Sequence, residues 1–111
     1  MSNWKSICRV DDIPVLGARR VAREQGGDVA VFRNTEDKVF ALLDRCPHKG
    51  GPLSQGIVHG AQVTCPLHNW VFSLETGEAQ GADEGRVRTV PLNLVDGRIY
   101  MAAVAMLAAA E

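Results

Sequence analysis

Two short segments, Cys46-Pro47-His48 and, after sixteen intervening residues, Cys65-Pro66-Leu67-His68, constrain this chain more than anything else in it. Each offers one thiolate and one imidazole, the soft and borderline donors of a transition-metal centre. A centre that uses all four must draw two separate loops to one point. The fold therefore has to end two elements side by side and hold the connections between them in register. Pro47 and Pro66, each directly after a cysteine, restrict the backbone where such loops must be stiff.

The rest of the chain says what kind of elements those are. At 111 residues there is room for one domain, 1–111, with a core just large enough to support itself. A hydrophobic fraction of 46% with 23% charged residues is an ordinary globular balance. Twelve Lys and Arg against thirteen Asp and Glu leave a formal charge of -1, which gives no footprint for nucleic acid or an anionic membrane. The longest apolar candidate span, Met101 to Ala110, is too short to cross a bilayer, and Met1-Ser2-Asn3-Trp4-Lys5 lacks the pattern of a signal peptide. The expectation is a cytoplasmic protein with no membrane and no nucleic-acid partner. Three cysteines, an odd number, fit metal or redox chemistry better than a disulfide framework.

Eleven glycines and five prolines between short apolar runs favour a turn-rich all-β chain. Trp4, Cys8 and Val10 share a two-residue period that predicts a first strand with these side chains inward. Gly26-Gly27 supplies a turn between an extended Ala18–Glu24 and Asp28–Arg33, and Asn34–Asp37 a polar turn before Lys38–Asp44. Val29-Ala30-Val31-Phe32 and Val39-Phe40-Ala41-Leu42-Leu43 are apolar at successive positions, as in strands covered on both faces. His59-Gly60 reads as a turn. Asp96-Gly97, between Leu92–Val95 and Arg98–Met101, is the strongest hairpin signal. A strand is expected near Val87–Val95, at an edge or bulged at Pro91, which cannot donate to a ladder. Residues 45–73, punctuated by Cys, His, Pro and Gly, read as a small subdomain inserted between strands. The Ala-rich end after Met101 fits either a short helix or a tail.

Two cysteines on one iron and two histidines on its neighbour is the ligation of a Rieske [2Fe-2S] centre. Gly50-Gly51 would let backbone amides approach bridging sulfides. Structural zinc sites show a different spacing, C-x2-4-C with H-x3-5-H, so a zinc-stapled interaction module is the alternative from another class. Here the chain resembles the Rieske family along most of its length, roughly Trp4 to Met101. The runs Cys46-Pro47-His48-Lys49-Gly50-Gly51-Pro52-Leu53-Ser54-Gln55-Gly56, Cys65-Pro66-Leu67-His68-Asn69-Trp70 and Leu74-Glu75-Thr76-Gly77-Glu78 are similar to the small subunit of cytoplasmic NAD(P)H-dependent nitrite reductase. So are Asp12-Ile13-Pro14, Val29-Ala30-Val31-Phe32-Arg33 and Asp96-Gly97-Arg98-Ile99. Some members of that subunit family lack the ligands; here all four are present.

The resemblance implies a Rieske-type antiparallel β-sandwich with an inserted cluster-binding subdomain at about 45–73, with Cys46, His48, Cys65 and His68 holding a [2Fe-2S] cluster. It implies an electron-transfer role in nitrate assimilation, as the small subunit of an oxidoreductase whose large flavin and sirohaem subunit reduces nitrite to ammonium. The chain has no nucleotide-binding fingerprint and no substrate site of its own, so by itself it is a carrier. A Rieske ferredoxin serving a ring-hydroxylating dioxygenase is the alternative with the same cluster chemistry. Gly51 and Leu67 stand where respiratory-type members carry a disulfide, and Trp70 and Phe72 where those members carry hydroxyl donors to sulfur. Fewer donors predict a potential low in the Rieske span of about -150 to +300 mV.

Further readings concern individual residues. Cys8 is expected to be core, and His59 a solvated turn residue. Arg19, Arg20 and Arg23 are expected to form a solvated basic strand face, with docking of an acidic partner as the sharper option; Lys49, next to His48, is the better docking candidate by position. Trp70, Phe72 and Leu74 are expected to pack in the core rather than relay electrons. Pro47, Leu53, Pro66 and Leu67 would form an apolar rim around the histidines.

Overall fold

In the computed structural model, which describes residues 4–23, 27–46, 52–66, 69–80 and 85–102, the short apolar runs become strands. They are β1 (Trp4–Arg9), β2 (Ala18–Val21), β3 (Val29–Arg33), β4 (Val39–Leu43), β5 (Ile57–His59), β6 (Gln62–Thr64), β7 (Val71–Ser73), β8 (Leu92–Val95) and β9 (Arg98–Ala102). Single 3-10 turns form at Val10–Asp12 and Leu53–Gln55. The strands make three antiparallel sheets, in the orders β1-β9-β8, β2-β3-β4 and β5-β6-β7. The all-β antiparallel architecture expected from the sequence is thus the one found.

The unbroken apolar character of β3 has a direct cause. Val29 and Val31 point into one core with Cys8, Ile13, Ile99 and Met101, while Ala30 and Phe32 point into a second with Val58, Val63 and Phe72. Alternate residues of a strand face opposite sides, so β3 serves both cores at once. In β4, Ala41 joins the first core and Leu42 the second. The β2-β3-β4 sheet is therefore the middle layer, with β1-β9-β8 against one face and β5-β6-β7 against the other. Phe32, Leu42 and Phe72 are fully buried, and each such side chain contributes about 1.5–3 kcal/mol.

Turn chemistry follows the sequence closely. Asp96 (φ 51°) and Gly97 (φ 79°) join β8 to β9 in a two-residue loop with Val95 opposite Arg98, the left-handed pair that a type I′ hairpin requires. Gly60 (φ 60°) turns β5 into β6. Asn34, 3% exposed, holds the turn after β3: its Oδ1 accepts from the amides of Glu36 and Lys38, both at 2.9 Å, and its Nδ2 donates to the Gly60 carbonyl at 3.3 Å. This one side chain ties the middle sheet to the third.

Three local expectations are corrected. Trp4 is not inward but 39% exposed, because a bulge between Ser6 and Cys8 in the β1-β9 ladder resets the alternation before Cys8. Val10 is buried as expected, but in a 3-10 turn rather than in the strand. Residues near Val87–Val95 do not form one strand. The Leu43 amide donates to the Arg88 carbonyl at 3.0 Å and the Val90 amide to the Ala41 carbonyl at 2.9 Å, so this stretch lies along the β4 edge. Regular pairing resumes only after Pro91, in β8, an edge strand as Pro91 suggested. The Gly26 half of the first hairpin and the Ala-rich end beyond Ala102 lie outside the described residues. Among the described residues no helix is long and apolar enough to cross a membrane.

Candidate metal centre

Cys46 leaves the end of β4 after only two residues, and its position is set by what surrounds those two. The Asp44 amide donates to the Asp28 carbonyl at 2.9 Å, continuing the β3-β4 pairing. The Asp44 side chain is wholly shielded from solvent. Its Oδ1 accepts from the Ser54 amide at 2.6 Å and its Oδ2 from the Ser54 hydroxyl at 2.7 Å. Arg20 on β2 completes the set, with Nε 2.9 Å from Asp44 Oδ2 and Nη2 2.8 Å from Asp28 Oδ2. A buried carboxylate is tolerable because the Ser54 amide, the Ser54 hydroxyl and Arg20 Nε all face it. Asp44 and Ser54, ten positions apart, thus bond to each other on either side of the segment that carries Cys46 and His48.

The far end of that connection is anchored by packing. Leu53, in the 3-10 turn, is fully buried in the second core. Directly after the turn, Gly56 runs so close to β6 that an added Cβ would press on the Thr64 carbonyl. Leu53 is therefore a core residue and not part of an apolar rim. Of the other residues proposed for that rim, Pro66 is exposed, while Pro47 and Leu67 lie outside the described residues.

Cys65 directly follows β6. Thr64 pairs with Val71 in the β6-β7 ladder, and one step on, the Cys65 amide donates to the Trp70 carbonyl at 2.6 Å. This bond joins the two ends of the 65–70 segment. Asn69 supplies its left-handed residue, with φ 58°, a conformation Asn adopts more readily than most residues. Beneath the loop, the Trp70 and Phe72 rings lie 6.2 Å apart, with Phe72 fully buried and Trp70 packed against the same core. Phe72 and Leu74 are core, as expected.

Both cysteines belong to one core cluster, Cys46 at 1% and Cys65 at 0% exposure, between Leu42, Phe32 and Phe72. Two thiols at the roots of two such segments, buried in one apolar layer, are a donor set that fits the sulfur-ligated side of a two-iron cluster. His48, His68, Lys49 and the Gly50-Gly51 pair lie outside the described residues. His59 is exposed and shares a 2.8 Å hydrogen bond with the Thr64 hydroxyl. Cys8 is buried in the other core, and burial pushes its thiol up from the ordinary value. The arginine cluster is split: Arg20 is committed to Asp28 and Asp44, and Arg23 Nε donates to the Gly27 carbonyl at 2.8 Å. It is not the uniform solvated face expected of it.

Asp44, Ser54 and Asn34 were not singled out by sequence reasoning. For Asp44 a signal exists in retrospect: a carboxylate at the end of a run apolar on both faces needs buried partners.

Comparison with known proteins agrees with this construction. The sequence model of the Rieske [2Fe-2S] domain matches residues 3–91, and the chain belongs to that family. It is 37% identical over 99 residues to the 3-phenylpropionate/cinnamic acid dioxygenase ferredoxin subunit of Photorhabdus laumondii, covering 86% of this chain and 90% of that one. Among solved structures, the complex of reduced oxygenase and oxidized ferredoxin in carbazole 1,9a-dioxygenase contains a chain that superposes with a TM-score of 0.80 at 26% identity, covering 93% of this chain and 95% of that one. A Mycobacterium tuberculosis protein assigned as an NADH-dependent nitrite reductase small subunit superposes with a TM-score of 0.78 at 27% identity, covering 88% and 92%. The chain is a Rieske-type [2Fe-2S] electron-transfer protein of ferredoxin type.

Proposed function

We propose that this chain is the electron-transfer small subunit of a cytoplasmic NAD(P)H-dependent nitrite reductase in nitrate assimilation. Cys46, His48, Cys65 and His68 are its cluster ligands, and residues 45–73 its cluster-binding subdomain within one domain, 1–111. The resemblance of the three flanking runs to that subunit carries the reading. Two of their residues have structural tasks here: Leu53 seats the first loop in the core and Ser54 bonds Asp44. The likeness to the Mycobacterium tuberculosis structure supports it.

When bound, the cluster supplies one electron per cycle. The chain's own residues give that exchange its setting. Cys46 and Cys65 keep the sulfur side dry within an apolar layer, and the Ser54–Asp44 and Cys65–Trp70 hydrogen bonds anchor the residues next to each cysteine-bearing segment. Reduction of nitrite to ammonium, NO2⁻ + 8H⁺ + 6e⁻ → NH4⁺ + 2H2O, takes place on the large flavin and sirohaem subunit. A one-electron carrier serves it by repeated cycles.

The second reading, a ferredoxin for a ring-hydroxylating dioxygenase, is favoured by the 37% identity to the Photorhabdus laumondii subunit. Reconstitution separates the two. The cluster-loaded chain is added to a flavin and sirohaem nitrite reductase large subunit and, separately, to a Rieske oxygenase with its reductase. Nitrite-dependent NAD(P)H oxidation that needs this chain is the expected result; stimulation of aromatic hydroxylation alone would replace it with the second reading.

A further inference from the structure

The Arg20, Asp44 and Ser54 arrangement does more than join Asp44 to Ser54. A fully shielded carboxylate lies two residues before Cys46, and a guanidinium whose side chain is 54% exposed caps it from β2. Asp28, 35% exposed, shares the same guanidinium. Two carboxylates therefore face one cation at the root of the first loop. We propose that Asp44 is a positioning residue for that loop, and that the Arg20–Asp44 pair biases the reduction potential of the cluster through its fixed charges. The inference rests on the assignment of Cys46 as a ligand.

The physical argument has two parts. Held from both sides, the Ser54 amide and hydroxyl cannot part from Asp44 without leaving a buried carboxylate short of donors, so Asp44 and Ser54 stay joined on either side of Cys46 in the sequence. Reduction adds one negative charge to the cluster, and charges in a shielded setting interact more strongly than in water. Asp44 opposes that added charge and Arg20 favours it. Net charge around an iron-sulfur cluster is one of the determinants of its potential.

Opposite signs make the test specific. Redox titration followed by EPR on the cluster-loaded full chain should give a raised midpoint potential for Asp44→Asn and a lowered one for Arg20→Gln, with Arg20→Lys close to the parent protein. Ser54→Ala should speed hydrogen exchange at residues 44–46 and 52–54 relative to the parent chain, and unchanged exchange there would overturn the positioning role of Asp44. A merely structural role would move Asp44→Asn and Arg20→Gln in the same direction, or leave both potentials where they were; either result overturns the inference. Should Asp44→Asn fail to load, the Arg20→Gln and Arg20→Lys pair decides, since equal shifts in the two would overturn it as well. A Cys46→Ser chain that keeps the parent EPR signal would instead defeat the ligand assignment and this inference with it.

Discussion

The Cys65 amide donates to the Trp70 carbonyl across 2.6 Å, so the segment proposed to bear the second ligand pair is joined at its ends by the backbone of the very residue that carries the thiol. Any change that alters how the chain returns from Pro66 to Trp70 acts on Cys65 directly. Asn69 is the pivot of that return, at φ 58°. Replacing Asn69 by Val should cost about 1–2 kcal/mol, the penalty of a left-handed conformation for a residue that cannot adopt it comfortably. Asn69→Gly should be close to neutral. Thermal melts of both variants, with iron content measured alongside, check the pair; equal melting temperatures would show that the turn does not depend on Asn69.

Gly56 should be equally intolerant for a different reason. An added Cβ would lie 3.1 Å from both the Leu53 carbonyl and Val63 Cγ2 and would press on the Thr64 carbonyl. The strain is between two backbones and cannot be relieved by a rotamer change. Gly56→Ala is expected to lower stability by about 1–3 kcal/mol and to reduce cluster retention, because β6 would be displaced just before Cys65. Denaturant titration with visible absorbance as a second probe would show both effects.

The three cysteines should behave in two ways. Cys46→Ser and His68→Ala should abolish the Rieske EPR signal, while Cys8→Ala should leave it intact, since Cys8 lies in the other core. Burial raises the Cys8 thiol above its ordinary value of 9.0. Its contribution to stability is therefore full below that value and is lost as pH rises through the raised folded value. A parent chain that loses stability above about pH 9 more steeply than Cys8→Ala is the expected outcome of melts across that range.

Phe72, fully buried beside Cys46 and Cys65 in one cluster, is the place to add a donor. Phe72→Tyr should raise the midpoint potential, since a hydroxyl bonded to sulfur favours the reduced state. An unchanged potential together with a loss of about 1–3 kcal/mol in stability, the cost of an unpaired buried hydroxyl, would show that position 72 faces away from the sulfurs.

Much of this architecture was legible from the chain alone, and the reasons are specific. Asp96-Gly97 announces its hairpin because few other residues accept two left-handed positions in succession. The apolar runs of β3 and β4 announce a covered sheet because both faces must be dry. The paired Cys and His segments announce the Rieske family because so few donor sets share that spacing. What stayed hidden depends on partners distant in sequence. The bulge that turns Trp4 outward is a property of the β1-β9 ladder, not of β1. Leu53 looked like rim because its neighbours are prolines and glycines, and only the third sheet makes it core. Asp44 reads as an ordinary polar residue after a strand until Arg20 and Ser54 are seen to converge on it.

Strand β3 contributes Val29 and Val31 to one core and Ala30 and Phe32 to the other, and this sharing sets how the molecule comes apart. Losing β3 from either core strips the other of its central strand, so the two cores are expected to unfold together. Damage at the β1-β9-β8 end should be transmitted to the cysteine side at full strength. Loss of visible absorbance and loss of Trp4 environment should follow a single transition, and the holo protein's stability becomes a sensor of both ends at once.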